Sequence, residues 1–430
     1  MPTLAQAGQQ PFTADQQGRL FSVAGSNTVG ASLMKNLLSD YFAAKGLTNI
    51  QVLPLAHENE YRVQGSADGV VRYVDVAAHG SSTGFAALLD GAVEVAMSSR
   101  NIKGGEVEAL AHYGNMLGFD AEQVIAIDGL AVIVNDSNPL QALDVSSVAK
   151  LFSGEIRNWK QLGGPDLAVN IYARDDRSGT WDTFKSLVLG KQYQLSPKAR
   201  RFESNDQLSD LVAADKGGIG FVGLASVRES RALKINEEGT RPLLPQKLSV
   251  ATEDYVLSRR LFLYTPPQRQ NDVIRDFVHY VHTNAGQVQV ERTGFISQAL
   301  MATPADSDRE GPQDYLQLTE GASRLSVNFR FAEGSAELDN KALRDIQRLV
   351  DYMQAQPAAP ELQLVGFGDP NQAGSRGKVL SKLRALAVRS ELLKAGITTQ
   401  PVAGFGAFMP VAAATAAGKV KNRRVEVWVR

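Results

Sequence analysis

From Arg19 to about Phe295, short apolar runs alternate with stretches whose apolar residues recur every three or four positions. The runs LFSVAG, VRYVDVAAHG, VEVAMSS, LAVIVN, VNIYA and GIGFVG are short and bounded by turn residues, which predicts strands. Between them, Leu33, Leu37, Leu38, Tyr41 and Phe42 share one helical face, and Trp181, Phe184, Leu187 and Val188 share another. A helix near Asp272–His282 carries Val273, Phe277 and Tyr280 on one side. This alternation of periods predicts an α/β architecture. Residues 1–18 are polar and Gln-rich, a flexible lead-in. Residues 301–320 are polar and acidic with two prolines, which predicts a linker. Beyond it, residues 321–430 predict a compact unit with strands LSVNFRF, ELQLVGF and RRVEVWV and helices near Asn340–Met353 and Lys378–Ala395.

Composition narrows the classes. With 430 residues, 43% hydrophobic and 21% charged, the chain suits two or three globular domains and excludes a disordered, collagenous or coiled-coil protein. The net charge of −1 hides a division: residues 321–430 hold 16 basic and 9 acidic residues, net +7, leaving 29 basic and 37 acidic elsewhere, net −8. Opposite signs point to two different tasks. A chain of near-zero net charge is not a general nucleic-acid binder. Zero cysteines exclude disulfides, thiolate metal sites and Cys nucleophiles. The longest apolar run, IAIDGLAVIV, is interrupted by Asp128 and is too short to span a membrane. Leu4-Ala5-Gln6-Ala7 has the small residues of a signal-peptide tail.

Three Gly/Ser/Thr turns each follow a strand and open a helix: Gly25-Ser26-Asn27-Thr28-Val29-Gly30, Gly80-Ser81-Ser82-Thr83-Gly84 and Ser178-Gly179-Thr180. First-turn amides have no intrahelical acceptor and sit at the positive end of the helix dipole. Small residues let an anion reach them, and the hydroxyls add donors. Any one such turn can be a simple N-cap; three in one domain favour an oxyanion site. Arg174, four residues before Ser178, supplies a guanidinium able to hold two oxygens of a tetrahedral anion, with Asp175 or Asp176 able to orient it.

Residues from about 20 to 295 resemble the periplasmic phosphate-binding proteins of ABC importers, the PstS type. The resemblance is carried by AGSNTVG, HGSSTGFAALLDGAVEVAMSSR, SSVAKLFSGEIRNWKQLGG and ARDDRSGTWDTF, in the family's order. It implies a type II-like fold of two α/β lobes, lobe 1 at about 19–130 and 245–300, lobe 2 at about 131–244, closing on a dehydrated oxyanion. It also implies anion contacts at Thr28, the Val29 amide, Ser81, Ser99, Arg174, Ser178, Gly179 and Thr180. Ser99 departs from the family: many members have an Asp there that accepts the phosphate proton and repels sulfate, whereas a serine can donate or accept. Arg100 beside it is expected to be a salt-bridge partner.

Residues 325–430 resemble the OmpA-like peptidoglycan-binding domain, a small α/β unit. The matching residues are Phe329-Arg330-Phe331 with Ser335 and Leu338, Gly366-Phe367-Gly368-Asp369, Leu380-Ser381-Lys382-Leu383-Arg384-Ala385, Gly404-Phe405-Gly406 with Pro410, and Asn422-Arg423-Arg424-Val425-Glu426. The resemblance implies that Asp369 and Arg384 clamp diaminopimelate of the wall peptide, whose ammonium and carboxylate on one carbon suit one fixed acid and one fixed base. The alternative for this pair is a strand-to-helix salt bridge that only stabilises the domain. Several supporting positions depart: Phe367-Gly368 replace His-Thr, and Gly377, Ala332 and Ala407 stand where polar residues are usual.

Gly80-Ser81-Ser82-Thr83-Gly84 also fits the nucleophile elbow of a serine hydrolase, with Ser82 as nucleophile and His279 or His282 as base. Both histidines fall on an amphipathic helix, and Arg174 and the other two turns would then have no role. The expectation is therefore a non-enzymatic receptor for inorganic phosphate in the periplasm of a diderm bacterium, tethered to peptidoglycan, with no cofactor, metal, nucleic-acid partner or membrane span. An ABC importer permease is a further candidate partner. The competing reading is an envelope scaffold or sensor whose anion cleft is vestigial.

Overall fold

Eleven strands form one curled mixed sheet through the first part of the chain. The computed structural model describes residues 11–13, 15–176, 178–305, 310–331, 337–358, 360–371 and 374–430. Leu4–Ala7, Arg177, Ala332 and Ser335 lie outside the described residues. From one edge the order is Thr48–Pro54, Glu60–Ala67, Val70–Ala77, Gly18–Gly25, Val95–Ser98, Ser258–Tyr264, Glu122–Val134, Gly218–Gly223, Asn170–Arg174 and Arg200–Phe202, with the short Arg231–Ala232 also on Glu122–Val134.

Glu122–Val134 is the strand that joins the two halves, and all thirteen of its residues are buried. Its first part pairs with Ser258–Tyr264 up to Gly129↔Ser258, and from Leu130↔Gly223 onward it pairs with Gly218–Gly223. Burial on both faces accounts for the near-continuous apolar text. Asp128, at the crossing, is the charged exception in the middle of that run. The helix Leu33–Ala44 buries Leu33, Leu37, Leu38, Tyr41 and Phe42, and Asp272–His282 packs Phe277 and Tyr280 against the same core. Before the first strand, Phe12 packs edge-on against Tyr41 and Phe42, and Arg72 donates to the carbonyls of Thr13 and Gln16.

The C-terminal unit is a five-stranded sheet in the order Ala302–Pro304, Ser323–Arg330, Arg424–Val429, Leu362–Gly366, Ala403–Gly404. Helices Asn340–Ala355 and Gly374–Lys394 cover it, and Leu325, Val327, Leu349, Ala385 and Val427 lie in its core. The described residues of the segment expected to be a linker, 301–305 and 310–320, are built into this unit. Ala302–Pro304 pairs antiparallel with Ser323–Leu325, and Gln313–Leu318 is a helix. Tyr315 is buried against Phe367, Phe405 and Trp428 and donates its hydroxyl to Glu426 at 2.9 Å. Polar composition concealed this, because one buried tyrosine and a three-residue edge strand suffice to tie the segment down.

The two units meet through buried charges. Arg260 binds Glu253 through two bonds of 2.7 and 2.9 Å and reaches Asp339 of the C-terminal unit at 2.8 Å. Arg330 donates to Thr252 O at 2.8 Å, and Asn328 donates to Asp254 at 2.7 Å. Burial alone would raise the Glu253 carboxyl, but Arg260 and Arg330 outweigh it and hold it far below the usual carboxylate range.

Candidate functional site

The first strand ends at Gly25, whose φ of 136° suits glycine and where a Cβ would lie 2.1 Å from Met97 O. The chain then turns into the short helix Asn27–Gly30, held from outside by the Tyr61 hydroxyl, which donates to Gly30 O at 2.6 Å. Thr28 and Val29 are buried in this turn. In the other half, Ser178 caps Gly179–Phe184 by accepting from Trp181 N at 3.3 Å. The two turns face each other and touch: Thr28 Oγ1 donates to Gly179 O at 3.3 Å, and a Cβ on Gly179 would lie 2.5 Å from Thr28 Cα. Glycine is required there because the lobes approach backbone to backbone.

A cleft of about 460 Å³ opens at this contact. Of the expected anion ligands, Thr28, Arg174, Ser178, Gly179 and Thr180 line it, together with Asn27, Ser32 and Asn205. Val29, next to Thr28 in the short helix, is buried and is not among the lining residues; its first-turn amide has no intrahelical acceptor. Arg174 donates from Nε to Phe202 O at 3.2 Å and from Nη2 to Glu203 O at 2.5 Å, and Asp175 lies 3.7 Å from it. Burial pulls its pKa below the ordinary guanidinium value, with Asp175 and Glu203 opposing. Four carboxylates also line the cleft: Glu58, Asp128, Asp175 and Glu203.

The sequence reading missed Arg259. It lies on Ser258–Tyr264 and is nearly buried; Nη2 donates to Thr28 Oγ1 at 2.8 Å and to Gly179 O at 3.2 Å, while Nε meets Asp128 Oδ2 at 3.3 Å. Thr183 donates to the same Asp128 oxygen at 2.8 Å. Arg259 therefore bridges both turns and the crossing strand. A signal existed: adjacent Arg259 and Arg260 in one strand must point to opposite faces, so both cannot lie on a solvated face of a doubly covered sheet. The lone Asp128 in an apolar run was its counterpart.

Ser81 and Ser99 are adjacent, with Ser99 N donating to Ser81 Oγ at 3.1 Å and the hydroxyls 3.4 Å apart, but neither is among the residues lining the cleft. Arg100 makes a two-bond ion pair with Glu106 at 2.7 and 2.8 Å and donates to Ser82 Oγ at 3.0 Å. The hydrolase pairing does not form: His282 bonds Gln123 and Arg348, and among the described residues no histidine bonds Ser82.

In the C-terminal unit, Asp369 is 2% exposed at the end of strand Leu362–Gly366. One of its oxygens accepts from Asn371 N at 2.9 Å and the other from Arg423 Nη2 at 3.3 Å. Arg384 stands beside the same bend, its Nη1 3.7 Å from where a Gly368 Cβ would be. Among the described residues that buried Nη1 has no hydrogen-bond partner. Burial and then Arg423 pull the Arg384 pKa down, against the attraction of Asp369. The acid and the base thus lie within electrostatic reach, but the ion pair Asp369 makes is with Arg423.

Among the described residues, no helix is long and apolar enough to cross a membrane, and no group of three His, Asp or Glu side chains is placed to hold a metal ion.

A family model described as a PBP superfamily domain matches residues 24–285, and one for the OmpA family matches residues 330–424. The chain is 28% identical to a phosphate-binding protein PstS of Borreliella burgdorferi over 225 residues, 51% of this chain and 77% of that protein. It is 31% identical to protein SphX of Synechococcus elongatus over 248 residues, 55% of this chain and 72% of that one. Among solved structures, an ABC-type phosphate transport receptor from Vibrio cholerae aligns with a TM-score of 0.50 at 25% identity, covering 64% of this chain and 98% of the receptor. A possible phosphate binding protein from Planctomyces limnophilus aligns at 0.54 and 22%, covering 65% and 93%, and shares the fold.

Proposed function

The chain belongs to the PBP superfamily and carries a C-terminal OmpA family domain, and from that premise we propose that it binds inorganic phosphate between its two lobes while its C-terminal unit holds it to peptidoglycan in the periplasm. The observation that carries the reading is the meeting of Thr28 with Arg174 and the Ser178–Thr180 turn in one cleft across the interlobe contact. Hydroxyls, first-turn amides and a guanidinium replace the hydration shell of a tetrahedral anion there, with no catalytic base needed. Binding would proceed by lobe closure, the Ser178–Thr180 turn and Arg174 folding onto an anion already held by Thr28 and the Val29 amide. Ser81 and Ser99 would support the turn from behind. With Ser99 in place of an acid, the site lacks one device for rejecting sulfate.

At the wall, Asp369 and Arg384 would take the ammonium and carboxylate of diaminopimelate, with Arg423 holding the Asp369 carboxylate in place until the ligand arrives. Delivery to an importer permease is compatible with the fold but constrained by the tether.

Isothermal titration with phosphate, sulfate and arsenate tests the cleft. Phosphate should bind at micromolar Kd or tighter and lose affinity in Arg174→Ala; no heat with any of the three anions ends the proposal. One observation favours a vestigial cleft acting in a scaffold: the Thr28 hydroxyl and two Arg174 nitrogens are already occupied by protein groups. Retained binding to purified sacculi without anion heat would support it.

A further inference from the structure

We propose that the groove between the two units is a second ligand site, for an organic carboxylate on an apolar body. The groove has a volume of about 810 Å³, within the usual range for small-molecule sites. Phe119, Val278 and Arg275 form one wall, and Leu343, Arg344 and Arg348 of helix Asn340–Ala355 form the other.

Arg344 carries the argument. Its guanidinium stacks 3.8 Å over Phe119, and Nη2 donates to Phe119 O at 2.7 Å. Among the described residues its buried Nε has no hydrogen-bond partner, and no carboxylate lies within ion-pair distance of it. A largely desolvated cation with no carboxylate in contact is costly, and an incoming anion relieves that cost. Burial and then Arg348 bring the Arg344 pKa down to about 10, against the weaker attraction of Asp120 and Asp345.

The neighbouring charges do not cancel it. Arg348 is bound to Asp345 at 2.7 Å, an acid it shares with Lys341. Arg348 also donates to His282 Nδ1 at 3.1 Å, so that imidazole is neutral and its Nε2 hydrogen faces Gln123. Asp120 and Asp351 line the groove as well, Asp351 accepting from Gln347 at 2.9 Å. Arg275 and Arg348 are taken by Asp272 and Asp345, so among the described residues lining the groove Arg344 is the guanidinium left without an ion pair, which suits a monoanion. Phe119 and Leu343, 41% and 40% exposed, offer the apolar contact that inorganic phosphate could not use. Because the walls belong to different units, a bound molecule would also fasten them together.

The test uses the full chain and the fluorescent aromatic sulfonate 8-anilinonaphthalene-1-sulfonate, competed by octanoate. The probe should bind with one-site saturation, be displaced by octanoate and not by inorganic phosphate, and bind unchanged in Arg174→Ala. Arg344→Gln should weaken it roughly tenfold or more, as expected for a charge-assisted bond. Val278→Trp, which fills the groove from the opposite wall and leaves the charges in place, should also abolish binding. Wild-type binding in either groove variant, failure of octanoate to compete, or displacement by phosphate overturns the proposal.

Discussion

The interlobe cleft and the wall pair present opposite relations between motif and contact. In the cleft, two turns more than a hundred residues apart converge, and Thr28 meets Gly179 directly. In the C-terminal unit, Asp369 and Arg384 sit fifteen positions apart on adjoining elements, yet Asp369 pairs with Arg423. The donors proposed for the cleft are, apart from Arg174, amides and short hydroxyls on two helix-opening turns, whose direction is largely fixed once the strand, turn and helix form. The proposed wall site depends on long side chains, whose choice of partner is open until every neighbour is in place. The surroundings also differ in sign: four carboxylates line the cleft, whereas the C-terminal unit carries net +7.

The largest expected effect probes the brace behind the cleft. Arg259→Ala removes the partner of buried Asp128 and should cost about 3 to 5 kcal/mol of stability, read as a fall in Tm. If Tm is unchanged, Arg259 does not hold the lobes. On the wall side, Glu426 offers a pH test. Burial opposes its ionisation, but Arg324 and Arg424 prevail and lower its pKa from 4.5 to about 2. Its stabilisation is therefore complete above pH 4.5 and lost as pH falls through about 2, a change of about 3 kcal/mol. Acid denaturation followed at Trp428, with Glu426→Gln as control, should show a loss in that window that the variant lacks.

Arg174→Ala should weaken phosphate binding by about 2 to 3 kcal/mol, on the order of 30- to 150-fold in Kd, without affecting sacculus binding. For the wall pair, Asp369→Ala and Arg384→Ala should each reduce retention on sacculi about tenfold. Arg423→Ala should matter less; a larger loss there than in Arg384→Ala would reassign the cationic half of the clamp. The smallest effect separates the two electrostatic settings. Raising KCl from about 0.05 to about 0.5 M should weaken wall retention and leave phosphate affinity equal or slightly tighter, because salt screens both the attraction and the repulsion. Parallel weakening of both would remove the distinction.

Much of this was open to reading along the chain. The strands and helices followed from periodicity, and residue type and position marked the turns at Thr28 and at Ser178–Thr180, which the fold brings into one cleft. Arg259 was not legible as a cleft group, because its partners Thr28, Gly179 and Asp128 are distant in sequence. Residues 301–320 read as a linker because polar composition dominates there, although Tyr315 sits in an aromatic cluster and Ala302–Pro304 pairs as an edge strand.

What the sequence determined by itself was local: which segments alternate with period two or near 3.6, where helices begin, and which turns expose amides and hydroxyls. These depend on neighbours a few residues apart. The tertiary structure alone decided that Ser81 and Ser99 bond each other, that Arg423 takes Asp369, and that Arg259 and Arg260 turn one strand into a wall shared by the cleft and the C-terminal unit. A charged side chain settles on whichever partner the packed fold brings within reach while water is excluded, and no spacing along the chain encodes that distance.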